Sequence, residues 1–143
     1  MTINEQQDEI IEDFEVFSDW MDKYDYIIQL GKELPLIDPA YKTPDKLIKG
    51  CQSQVWVHPV YEEGKITFTA DSDAVITKGL ISMVIKVLSG HTPKEIVDAN
   101  LYFINRIGLT SHLSPTRSNG LLSMLNQIKS YAMAFHLKEL NNA

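Results

Sequence analysis

The segment from Ala74 to about Leu88 limits the possible folds of this chain more than any other part of the sequence. Val75, Ile76, Leu80, Ile81, Met83, Val84, Ile85, Val87 and Leu88 leave it apolar almost all round. A surface helix needs one apolar stripe, whereas a helix apolar on every side has to lie in the middle of a core. With 143 residues the chain can wrap one such helix but has no room for two comfortable cores. Asp71-Ser72-Asp73 reads as the N-cap of this helix and Gly90 as its end.

The flanking segments supply the wrapping. Ile10, Ile11, Phe14 and Phe17 follow helical spacing, and Ser18-Asp19 caps a second stripe of Trp20, Tyr24, Ile27 and Ile28, with Gly31 expected just beyond its end. The three prolines between Pro35 and Pro44 mark an irregular connection. Lys46-Leu47-Ile48 reads as a short edge strand. Val55, Val57 and Pro59 then alternate with Trp56, His58 and Val60, and Ile66, Phe68 and Ala70 alternate with Thr67 and Thr69 beyond a turn at Glu62-Glu63-Gly64-Lys65. Pro59 has no N–H to donate, which puts its strand at an edge or near its end. Thr92-Pro93-Lys94-Glu95 is a capping box, and Ser114-Pro115 opens a last long helix with the stripe Leu121, Leu122, Leu125, Ile128, Ala132 and Phe135. The expected fold is α+β in one domain over 1–143: an antiparallel sheet of about three strands, within residues 46–70, packed against N-terminal, central and C-terminal helices.

Charge and composition exclude several function classes. A net charge of −6 argues against a nucleic-acid surface, which needs a basic excess. The acidic start lacks the pattern of a signal peptide, and the most apolar stretch, Gly79 to Leu88, is too short to span a bilayer and contains Lys86. Cys51 is the one cysteine, so it forms no disulfide within the chain and no multi-thiolate metal site. A lone thiol with no export signal points to the reducing cytoplasm.

Cys51 follows Gly50 and is flanked by Lys49, Gln52, Ser53 and Gln54, just before the apolar Val55 and Val57. A core cysteine sits within an apolar run, whereas reactive thiols sit in partly exposed turns. If Cys51 does chemistry, it acts as a nucleophile or a carrier. None of His58, His91, His112 and His136 forms a metal-ligand spacing with another histidine or with Cys51, and His58, on a strand seven residues past Cys51, is a candidate for a base acting on it. Thr116-Arg117-Ser118-Asn119-Gly120 breaks local rules twice. Gly120 weakens a helix interior, and Arg117 stands at the positive end of the macrodipole. Such departures are expected where function or a distant partner demands them. Asp73 is the leading carboxylate partner for Arg117, and a thiolate is the other candidate.

Gly50-Cys51-Gln52-Ser53-Gln54-Val55-Trp56 resembles the signature of the SufE family of cysteine-desulfurase sulfur acceptors. Three further blocks carry the resemblance: Trp20 to Pro35, Asp71-Ser72-Asp73-Ala74 with Lys78-Gly79-Leu80, and Thr110 to Leu121. The sister CsdE type departs from Gln-Ser-Gln after the cysteine, so the SufE type is the better match. The resemblance implies a fold shared with IscU and NifU scaffolds and a persulfide-bearing role for Cys51. It also implies a SufS-like cysteine desulfurase as donor, a SufBCD-like iron–sulfur scaffold complex as receiver, and a possible homodimer. The pyridoxal phosphate belongs to the desulfurase, so no cofactor is expected in this chain, and no independent enzymatic turnover.

On this reading Lys49 and Arg117 are the cations available to lower the thiol pKa, and Leu47, Val55 and Val57 are candidates to shelter the sulfur. A resting Cys51 should be at least partly shielded, and the helix ends carrying Asp73 and Arg117 should converge near it. Two rival readings remain at this level. An IscU-type iron–sulfur or zinc scaffold needs about four ligands, mostly thiolates, and the cysteine count opposes it. A cysteine hydrolase would need His58 or His112 beside Cys51.

Overall fold

In the computed structural model, which describes residues 1–142, the apolar segment is helix α3, Val75–Leu88, and it occupies the centre of the molecule. Leu80, Ile81, Met83, Val84, Ile85, Val87 and Leu88 are all at most 2% exposed. Their burial contributes on the order of 10 kcal/mol of gross hydrophobic stabilisation, before chain entropy is subtracted. Around α3 lie α1, Ile3–Glu15, α2, Trp20–Gly31, the hairpin of β1, Val55–Glu62, and β2, Lys65–Ser72, and the long α7, Pro115–Asn141. Their buried side chains form one continuous cluster.

Two glycines let α2 and α3 cross closely. A Cβ on Gly79 would stand 2.2 Å from the Ile27 carbonyl oxygen, and one on Gly31 would stand 3.0 Å from the Gly79 nitrogen. Gly31 is therefore the last residue of α2, kept small for packing, and not the residue beyond the helix end that the sequence suggested; Lys32 is the C-cap.

Glu63 and Gly64 both have positive φ, 53° and 79°, and form the two-residue turn that matches hairpin twist. Ile66, Phe68 and Ala70 of β2 point into the core, as their alternation predicts. The sheet has two strands where about three were expected. Pro44 starts a 3-10 turn through Lys46, so the chain is not extended there, and Leu47 makes one isolated bridge to Trp56. The outer edge of β2 is closed by other segments: Ala70 N–H donates to the Pro35 carbonyl, Ile66 N–H to the His91 carbonyl and Phe68 N–H to Ser89 Oγ. Since Ile66, Phe68 and Ala70 bond outward, the register Pro59↔Phe68 puts Pro59 on the outward side of β1, where a missing N–H breaks no ladder bond.

The connection to α7 contains α4, Pro93–Asp98, α5, Phe103–Arg106, and α6, Leu109–His112. The capping box predicted at Thr92 and Glu95 is present. Gln7 of α1 is fully buried and holds this connection through bonds to the Asn100 carbonyl (3.0 Å) and the Phe103 N–H (3.2 Å). On α7 the buried stripe is Gly120, Leu121, Met124, Ile128 and Ala132; Leu122, expected in it, is 57% exposed. The start of α3 also differs from expectation. β2 runs through Ser72, the N-cap is Ala74 with no side-chain cap, and Asp71 pairs with Lys42 (2.6 Å) and Lys78 (3.4 Å).

Candidate functional site

Between the 3-10 turn and β1 the chain closes on itself. Ile48 N–H donates to the Val55 carbonyl at 2.8 Å, so residues 49–54 project as a loop with a fixed base. Asp73 adds a second clamp, since its carboxylate accepts the Gln54 N–H at 3.0 Å and its own N–H reaches the Gln54 carbonyl at 3.3 Å. Gly50 turns the chain with φ +93°, a conformation that glycine adopts without strain. Cys51 comes next, half-buried at the loop tip.

The tip lies on the first turns of α7, with a glycine on each side of the contact. A Cβ on Gly50 would stand 2.5 Å from Ser123 Oγ. Gly120 leaves one side of the thiol uncovered, and the Cys51 S–H donates to the Gly120 carbonyl at 3.5 Å. Gly120 thus lies against a distant partner, the loop that carries Cys51, although a Cβ there would meet Cys51 Sγ only at an ordinary 3.6 Å.

The thiol lines a cavity of about 540 Å³ between the loop, the start of α3 and the start of α7. Its walls are Ala74 to Thr77 and Leu80 on α3, with Ser114, Thr116, Arg117, Gly120 and Met124 from α7 and its cap. Those are the two helix ends expected to converge on the cysteine. The shelter differs from the expected one: Val55 and Val57 are fully buried in the core and Leu47 faces another groove. Burial alone acts on the thiol, pushing its pKa above the ordinary 9.0. The expected pKa-lowering cations do not act. Lys49 lines the groove between the 3-10 turn and α7, and Arg117 is exposed at the cavity wall.

Arg117 and Asp73 form no ion pair among the described residues. The Asp73 carboxylate is engaged by the loop amide of Gln54, and its side of α3 borders a separate depression. Each residue thus meets the Cys51 loop or its cavity separately, without meeting the other. The histidines proposed as bases lie elsewhere: His58 stacks on Tyr41 at 4.0 Å, and His112 stacks on Trp20 at 3.9 Å. No histidine lines the cavity among the described residues. No group of three or more His, Cys, Asp or Glu side chains suited to a metal ion occurs among the described residues. Nor is any described helix long and apolar enough to cross a membrane.

Sequence reasoning missed Thr77 and Met124 as cavity residues. Thr77 could have been noticed as the hydroxyl among Val75, Ile76 and Leu80; Met124 gave no signal of its own.

The model of the SufE family, described as an Fe–S metabolism associated domain, matches residues 8–132. An uncharacterised SufE-like protein from Rhizobium meliloti is 43% identical over 131 residues, covering 87% of this chain and 93% of that protein. A second from Rhizobium etli is 40% identical over 131 residues, covering 87% and 88% respectively. Among solved structures, that of a hypothetical protein from Thermus thermophilus shares the fold with a TM-score of 0.74. It is 18% identical, and the match covers 90% of this chain and 94% of that one.

Proposed function

The chain belongs to the SufE family of Fe–S metabolism associated domains, and we propose that it accepts sulfur from a cysteine desulfurase as a persulfide on Cys51 and passes it on for iron–sulfur cluster assembly. The observation that carries this reading is a lone thiol on a clamped loop, facing a cavity of about 540 Å³ with no histidine in its described walls. A hydrolase needs a base beside its nucleophile. A carrier needs only access, a thiolate at the moment of transfer and a place for the product.

In the transfer, the Cys51 thiolate attacks the outer sulfur of the donor's persulfide. A sulfur–sulfur bond forms to Cys51, the donor's sulfur–sulfur bond breaks, and the donor cysteine leaves as a thiolate. Oxidation states balance, so no external oxidant or reductant takes part. Burial disfavours the thiolate in the closed loop, so the reactive form belongs to an opened loop engaged by a SufS-like desulfurase. The loop's fixed base permits such opening, since Ile48 and Val55 can stay paired while the tip leaves Gly120. The cavity then receives the product: its volume is many times the roughly 30 Å³ share of one water, so an added sulfur fits. A SufBCD-like complex is the proposed receiver. The compartment is proposed to be the cytoplasm, where a lone thiol stays reduced.

The test is incubation with a cysteine desulfurase and L-cysteine, followed by intact-mass analysis. One added sulfur atom is expected on the wild-type chain and none on Cys51→Ser. A folded serine variant that still stimulates the desulfurase would sink the carrier role.

A further inference from the structure

Of the cavity's polar side chains without a hydrogen-bond partner among the described residues, Gln52, Thr116 and Arg117 are exposed and Ser53 is partly so, whereas Thr77 is buried. Thr77 stands in the first turn of α3, is 8% exposed and lines the cavity. Its hydroxyl makes no hydrogen bond among the described residues. The other buried hydroxyls are partnered: Ser72 Oγ accepts the Ala74 N–H, and Ser82 Oγ donates to the Leu30 carbonyl. The Thr77 hydroxyl is not among the buried side-chain atoms left without a partner, so it opens to the cavity it lines and is free to bind a guest there, a capacity that an isosteric valine lacks.

The surroundings indicate what the hydroxyl would bind. Ala74 provides no side-chain cap for α3, so the first-turn amides and the positive end of the helix form one wall of the cavity. Cys51 forms another wall, with its S–H already directed at the Gly120 carbonyl. A wall of donors beside a thiol suits an anion attached to that sulfur more than it suits the thiol itself. A persulfide extends the side chain by one sulfur–sulfur bond, about 2 Å, and its terminal sulfur is a hydrogen-bond acceptor when ionised. Arg117, exposed and solvated, is no substitute for a donor inside the cavity.

We propose that Thr77 donates its hydroxyl hydrogen bond to the outer sulfur of a Cys51 persulfide and so retains the sulfane sulfur in the cavity between loading and delivery. This rests on the carrier reading above. No covalent bond of Thr77 changes; it is a positioning residue for the loaded state.

The experiment loads the full chain with a desulfurase and L-cysteine, removes the desulfurase, and challenges the product with cyanide. Cyanide attacks the outer sulfur, leaves as thiocyanate and returns the Cys51 thiolate, so intact mass follows the loss directly. Thr77→Val should load to the wild-type extent yet lose its sulfur about tenfold faster, the size expected for one hydrogen bond to a charged group. Thr77→Ser, which restores a hydroxyl, should behave as wild type. Thr77→Ala provides the same comparison should the valine variant not fold. Equal cyanide rates for wild type and the hydroxyl-free variants overturn the role of Thr77 alone, as does a serine variant as fast as valine. A wild-type chain that takes up no sulfur overturns the carrier reading and this inference with it.

Discussion

Replacing Gly120 by alanine should make the protein more stable and its cysteine less available. A glycine in a helix interior costs roughly 1 kcal/mol relative to alanine, so the substitution starts with that gain. Whether the gain survives depends on what the new methyl meets. Its nearest neighbours are Cys51 Sγ at 3.6 Å and Cys51 Cα at 4.0 Å. Both are ordinary contact distances, so the methyl fits without moving the loop and covers the thiol on one side. The expected stabilisation is about 1 kcal/mol, or roughly 3 °C in Tm for a chain of this size. The same methyl should slow alkylation of Cys51 by iodoacetamide and occupy space near an added sulfur, so sulfur uptake should fall while stability rises. Calorimetry and alkylation on the same preparation test both halves. A lower Tm would show that Cys51 lies closer to α7 than these distances state, and an unchanged alkylation rate would show that the thiol does not rest there.

The other side of the same contact should respond in the opposite sense. Gly50→Ala combines a backbone at φ +93° with a methyl 2.5 Å from Ser123 Oγ, so it should destabilise by about 1–3 kcal/mol and speed alkylation; slower alkylation would refute the docked loop. Asp73→Ala removes the acceptor of the Gln54 N–H and should cost about 1 kcal/mol while raising Cys51 reactivity, read by urea unfolding and alkylation. Because burial raises the Cys51 pKa, the free protein should hold less thiolate than an ordinary thiol at any pH below 9.0. Its alkylation deficit should therefore be largest near neutral pH and shrink as pH rises through the folded-state pKa; a midpoint below 9.0 would contradict the buried thiol.

The sequence was most informative where structure is set locally. The capping box at Thr92, the hairpin turn at Glu63-Gly64 and the inward alternation of Ile66, Phe68 and Ala70 depend on neighbours a few residues away. The position of α3 was legible for another reason: a helix apolar all round has no stable place except the centre. The third strand failed because Pro44 and the turn it starts outweighed the apolar pattern of Leu47 and Ile48. Gly31 was misassigned because a glycine near a helix end serves equally as a C-cap or as a contact, and only the partner Gly79 distinguishes them.

The candidate site shows the same limit more sharply. Arg117 and Gly120 were recognisable as departures from helix rules, and both do lie at the cavity beside Cys51. A departure marks a place under non-local demand, but it does not name the other party. For Gly120 the partner is the Cys51 loop, 69 residues away in sequence. For Arg117 the expected carboxylate was wrong, because a backbone amide had already engaged Asp73. Backbone groups carry no residue identity, so contacts made through them cannot be read from side-chain types. The resting thiol is held largely in this way, by the Gly120 carbonyl, the Ile48–Val55 pair and the Asp73–Gln54 backbone bond, with the Asp73 carboxylate on the Gln54 amide as the side-chain clamp. The two backbone pairs at the base stay in place when side chains around the thiol change, and the tip is released by breaking one weak S–H···O hydrogen bond to Gly120.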